Sequence, residues 1–157
     1  MEMIEALRQK LGVPDAPLVN AGLSATADFF QTVIHDDPLK WWQYLRGIDF
    51  HNRVAMTYLP KDKALIRYES IGQRSLKPFG YFTDPGVSPF HIGTSFPAWQ
   101  YKEYNVLRST PALISKASSL SFDPKDRISR VGGGTQYIIA FRDWPKLLRV
   151  AETKRAV

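Results

Sequence analysis

Between Val54 and Phe141 the chain is cut into short apolar stretches by prolines, glycines and serines, and this punctuation constrains the fold more than any other feature. Val54-Ala55-Met56-Thr57-Tyr58-Leu59 and Ala64-Leu65-Ile66-Arg67-Tyr68 flank the turn-like Pro60-Lys61-Asp62-Lys63, and further runs lie at 80–83, 104–107, 112–115 and 137–141. Short runs of β-branched and aromatic residues bounded by turn formers read as strands, and the first two read as a hairpin. Their density argues for antiparallel sheets. The expected fold is therefore α+β and β-rich, with short helices near the N- and C-termini.

The helices are expected at three places. From Met3 to Leu11, Ile4, Leu7 and Leu11 recur at helical spacing with charges between, and the pattern stops at Gly12 and Pro14. The stretch from Val13 to Ala27, with prolines at 14 and 17, reads as an extended arm. Residues 1–30 are thus expected to form an N-terminal helix and arm, and 31–157 the functional part of a single domain. Asp37 and Pro38 form an N-cap and first helical position, with Gly47 as the stop, so that Leu39, Trp42 and Leu45 share one buried face. Asp143-Trp144-Pro145 opens a last helix carrying Leu147, Leu148 and Val150.

A length of 157 residues with 44% hydrophobic side chains suits one ordinary core. The absence of cysteine excludes a thiol nucleophile and thiolate metal ligation. The three histidines, His35, His51 and His91, form no close pair of the kind that binds zinc, so no metal is expected. Acidic side chains at Glu2 and Glu5 stand where a signal peptide would be basic, and no apolar run is long enough for membrane insertion. The net charge of +6 favours an anionic ligand or an acidic partner. Lys and Arg are scattered without a dense block, which makes nucleic acid an unlikely partner.

Gly132-Gly133-Gly134-Thr135-Gln136-Tyr137 is the segment with the clearest chemical promise. Three glycines let the backbone take positive φ and come close to a ligand, while Thr135 and Gln136 present polar groups as the strand begins. The triplet lacks the spacing of a Walker loop or a Rossmann fingerprint.

Together with Arg67-Tyr68, Gly80-Tyr81-Phe82, Thr94-Ser95-Phe96-Pro97 and Tyr101-Lys102-Glu103-Tyr104-Asn105-Val106, this segment resembles the tuberculosis necrotizing toxin family of NAD glycohydrolases, over residues 65 to 150. The resemblance implies hydrolysis of NAD or NADP as substrate, with no cofactor, to nicotinamide and an ADP-ribose product. It also implies a toxin domain delivered as part of a larger secreted polypeptide, acting in the target-cell cytoplasm and neutralised by an immunity protein. On this reading Gln136 orients water or a ribose hydroxyl. Arg67 or Arg74 grips phosphate, with Arg74 favoured for lying nearer Tyr81 in sequence, and Glu103 stabilises the cationic ribose. Tyr81, Gly133, Gly134, Thr135 and Lys102 are the expected substrate-binding residues, Lys102 standing in for a histidine of the family. Thr94 occupies the place of a family arginine. The alternatives are a ribonuclease toxin using His35 or His51, and an inactive binding module with the same fold.

Overall fold

The computed structural model describes residues 2–69, 77–92, 100–123, 128–130 and 132–155. Helix α1 spans Glu2–Leu11 and buries Ile4 and Leu7. Arg8 pairs with Glu5 on the same helix and reaches Asn20 Oδ1 at 2.6 Å, which ties α1 to the next element.

That next element is helix α2, Pro17–Phe29, and not the extended arm expected there. Proline at the first helical position removes an N–H that would have had no partner, so Pro17 starts a helix. Val19, Leu23, Ala27 and Phe29 are buried on its inner side, in the same core as the sheet. The helix widens into a π-turn at Phe30–Ile34 and is closed by His35, whose φ of +60° is left-handed and whose N–H donates to the Phe30 carbonyl.

The expected helix at 38–46 forms in two pieces, a 3₁₀ turn Pro38–Trp41 and helix α3, Trp42–Leu45. Asp37 caps it by accepting from the Leu39 N–H at 2.9 Å. The tighter first turn rotates the side chains off a simple helical stripe. Leu45 is fully buried and Leu39 packs on the core, as expected, but Trp41 joins it in place of Trp42. Trp42 instead lies under the cations of Lys10 and Arg46.

The strands are β1 Ala55–Leu59, β2 Ala64–Glu69, β3 Phe79–Thr83, β4 Gln100–Val106, β5 Thr110–Lys116, β6 Leu120–Asp123, β7 Ile128–Arg130, β8 Thr135–Ala140 and β9 Leu148–Arg155. Seven of them form one antiparallel sheet in the order β1-β5-β8-β3-β2-β4-β9, and β6 pairs with β7 apart from it. Helix α4 covers only Trp144–Leu147, so Leu148 and Val150 belong to β9 and not to the expected final helix.

β1 and β2 do not form the hairpin expected of them. They are successive stretches of one bent strand whose partner is the equally bent β4–β5. Leu59 faces Thr110, and five residues later Ala64 faces Asn105, five residues earlier, so the register runs through the corner without a slip. The corner is held by Asp62 N–H to Val106 O at 2.8 Å and Val106 N–H to Lys63 O at 3.0 Å, with Asp62 in the left-handed region. Strands that change sheet at a bend give two half-sheets packed across each other.

One half is β1-β5-β8-β3 and the other is β2-β4-β9. Leu59, Leu65, Phe82, Tyr104, Val106, Tyr137 and Ile139 fill the space between their inner faces. The outer face of the first half carries Phe79, Leu113, Ile138 and Ala140, which pack against α1 and α2 in a second core. The halves meet at a single β2–β3 register pair, Ile66 with Thr83, whereas β3 shares five pairs with β8 and β2 shares six with β4. Beyond that pair the two strands part.

Candidate active site

The parting of β2 and β3 gathers an unusual set of side chains. Arg67 comes from β2 and lies 4.9 Å from the Trp144 ring centroid. Lys77, just ahead of β3, lies over Tyr44 at 4.5 Å, over Phe79 at 5.6 Å and over Tyr81 at 5.8 Å. Burial, and then the Arg67 charge, pull the Lys77 ammonium down to about 8. The Tyr81 hydroxyl donates to the Tyr44 carbonyl at 2.7 Å, and burial raises its pKa steeply. Two cations set among aromatic faces suit a ligand with both phosphate and flat rings.

Gly80 makes the arrangement fit. A Cβ there would stand 2.4 Å from Trp144 Cζ2 and 3.2 Å from Arg67 Nε, so the missing side chain is the space that the indole fills. Trp144 also stacks edge-on with Phe82 at 5.0 Å. Helix α4 thereby positions Arg67 through its tryptophan.

The other expected residues distribute differently. Gln136 is not at the mouth of a loop: it lies inside β8 with no exposed surface, and its Nε2 donates to Gly47 O at 2.9 Å and Ser115 Oγ at 3.3 Å. Thr135 lies one residue before it, so its side chain is on the opposite face of the strand, where its hydroxyl accepts from Lys116 Nζ at 2.7 Å.

The glycines serve contacts within the protein. Gly133 N–H donates to Ala117 O at 2.8 Å and Gly134 N–H to His91 O at 2.7 Å. A Cβ on Gly132 or Gly134 would stand 2.5 Å from the backbone of Ser118 or His91 respectively. The close approach that these glycines permit is therefore to neighbouring loops. Gly133 itself is exposed, with φ +85° and open space where a Cβ would go.

Register separates the remaining pair. Lys102 is the cross-strand partner of Arg67 and shares its face, whereas Glu103 partners Ile66 and points the other way. Both are half-buried. Arg74 and the Thr94-Ser95-Phe96-Pro97 segment lie outside the described residues. The structure thus sets Arg67 near Lys77, with Lys102 on Arg67's face, places Tyr81 beside Lys77 on the opposite face of β3 from Gly80 and Trp144, and sets Gln136, Thr135 and the glycines elsewhere.

Lys77, Tyr44 and Trp144 were not among the residues expected in the site. Their signal was weak: Lys77 directly precedes Pro78-Phe79-Gly80-Tyr81, but nothing in the sequence shows that Tyr44 or Trp144 reaches that strand end. Among the described residues no cluster of histidine and carboxylate groups could hold a metal ion.

No family model and no curated protein matches the sequence. Among solved structures the chain is similar to Tse6, determined in complex with Tsi6, with TM-score 0.66 and 21% identity over 88% of this chain and 99% of that one. It also matches Rhs1-CT, determined in complex with its cognate immunity protein RhsI1, with TM-score 0.44 and 19% identity over 71% and 83% of the two chains. The first likeness establishes the shared fold.

Proposed function

We propose that this chain is an NAD(P)+ glycohydrolase toxin domain that cleaves the nicotinamide–ribose bond to release nicotinamide and ADP-ribose or its phosphate. The observation that carries this reading is a pair of neighbouring cations where β2 and β3 part, each against aromatic rings, Arg67 against Trp144 and Lys77 over Tyr44 and Tyr81. A dinucleotide offers what such a cleft recognises, a pyrophosphate between flat rings. The sequence resemblance and the fold shared with Tse6 support the same conclusion.

The chemistry asks little of the protein in acid–base terms. Nicotinamide is cationic in the substrate and leaves neutral, so no side chain need protonate it. The demands are to hold the pyrophosphate, align the bond and stabilise positive charge growing on the ribose. Arg67 supplies a two-pronged grip on phosphate oxygens, and Lys77 a point charge beside it. The Tyr81 hydroxyl proton is engaged by the Tyr44 carbonyl, so Tyr81 offers no free donor and contributes its ring beside Lys77. Gln136 acts on this site through Gly47, which it ties to β8 at the end of the segment that carries Tyr44.

On this reading the domain is delivered within a larger polypeptide, acts in the recipient cytoplasm and has a neutralising protein partner, in keeping with the capture of Tse6 together with Tsi6. The test is to incubate the purified protein separately with NAD+, NADP+ and total RNA. Release of nicotinamide is expected. Degradation of RNA with the dinucleotides intact would establish the ribonuclease reading, and binding of NAD+ without turnover the inactive-module reading.

A further inference from the structure

The two edges of the seven-stranded sheet are built differently. Edge strand β9 carries Arg149, Glu152, Lys154 and Arg155, and charged residues along an edge discourage further pairing. Edge strand β1, Ala-Met-Thr-Tyr-Leu, has no charge, proline or glycine in it. Met56 and Tyr58 lie on one face of it, 44% and 61% exposed. All five β1 residues pair with β5 on one side, and among the described residues no strand lies on the other.

The charges sit at the ends of this edge. Arg53 precedes β1, Lys61 follows it, and Arg108 lies two residues before Thr110, the partner of Leu59. All three are exposed, and the carboxylate in these flanks is Asp62. A second copy of the chain would bring the same cations against one another, and each chain carries a net +6. An acidic strand would meet opposite charge at both ends and an apolar stripe between them.

We infer that β1 is a docking edge for an extended, acidic segment of a partner protein, which adds a strand to the sheet beside Met56 and Tyr58. Backbone hydrogen bonds supply the attachment, and the exposed side chains with Arg53, Lys61 and Arg108 supply selectivity. This surface is distinct from the Arg67–Lys77 cleft and does not depend on any catalytic activity.

The probe is a capped peptide alternating glutamate with valine, and its control has lysine for glutamate. Binding is read by calorimetry, and the site by amide hydrogen exchange across residues 55–59. The acidic peptide is expected to bind, to slow exchange in β1, and to bind at least about tenfold more tightly than the basic control. The variant Met56→Glu/Tyr58→Glu, altered only on exposed side chains, is expected to keep its melting temperature and lose about tenfold or more in affinity for the acidic peptide, through the lost apolar contact and like-charge repulsion. Equal affinity for both peptides, protection elsewhere than β1, no binding of the acidic peptide, or dimerisation of the free protein through β1 would each overturn the inference. None of these readouts involves NAD+, so their failure is separable from failure of the glycohydrolase reading.

Discussion

The two half-sheets differ in what covers them. The outer face of β5, β8 and β3 is buried under α1 and α2, and its polar side chains, Gln136, Ser115 and Thr83, are committed to partners inside the protein. The β2-β4-β9 half supplies Arg67, Lys102 and Glu103, all half-buried and within reach of solvent. The same kind of strand therefore plays two parts. Where helices close over a face, a polar residue there becomes an internal brace, and where a side chain keeps contact with solvent it can also meet a ligand.

The comparison breaks first at Gln136. If it is a brace, Gln136→Ala removes one of the two donors to the Gly47 carbonyl, which keeps the Ser118 N–H, and opens a cavity, at a cost of about 3 kcal/mol in urea denaturation. A fully stable variant would return Gln136 to the set of dispensable site residues. Next comes the seam between the halves. Gly80→Ala puts a methyl into the Trp144 ring, and overpacking of this kind costs about 2 kcal/mol. Trp144 fluorescence is expected to shift in that variant, because the indole must leave its seat.

On the open half the effect should appear in binding. Arg67→Ala is expected to raise the KM for NAD+ about tenfold, near 1.4 kcal/mol, while leaving stability nearly unchanged. An unaltered KM would remove Arg67 from the cleft's function.

Lys77 gives a finer test through pH. Its folded value of about 8 lies below the 10.5 of an unfolded lysine, so from about pH 8 to 10.5 the unfolded chain holds more proton. Its contribution to stability therefore becomes more favourable as pH rises through that window. Affinity for an anionic dinucleotide should move the opposite way, weakening as pH passes about 8 and the ammonium loses its proton. Comparison with Lys77→Met isolates both slopes, and parallel slopes in the variant would rule Lys77 out. The smallest effect is expected at Thr135→Val, which removes one exposed hydrogen bond to Lys116 and should change stability by no more than about 0.5 kcal/mol.

The strand positions were readable because apolar runs at 64–68, 80–83, 112–115 and 137–141 record local burial directly. Their pairing was not. A short loop such as Pro60–Lys63 fits either a hairpin or a bend in one strand, and the choice was made by the matching β4–β5 strand some forty residues on. Helix α2 was hidden because Pro14 and Pro17 look like breakers, although Pro17 occupies the one helical position where proline is at home.

The site was partly legible for the same reason. Arg67 and Tyr81 sit in strands that could be recognised, so their neighbourhood could be anticipated. Gln136 followed three glycines, which suggested a loop, but its place in β8 depended on pairing with Thr83 and Ser115. Lys77 and Trp144 meet Arg67 only through tertiary folding, and no spacing in the sequence encodes that meeting.

The place of β8 has a consequence for the order in which the molecule can be made. It is the central link between β5 and β3, yet it lies at residues 135–140 of a 157-residue chain. Trp144, which seats Arg67, follows it. A chain emerging from the ribosome therefore holds β1, β2, β3, β4 and β5 without the strand that joins β5 to β3, and such late non-local pairing makes for slow folding. Until β8 is synthesised, β3 lacks the strand with which it shares five register pairs. A chain stopped short of β8 leaves β3 attached to the sheet by one register pair, Ile66 with Thr83.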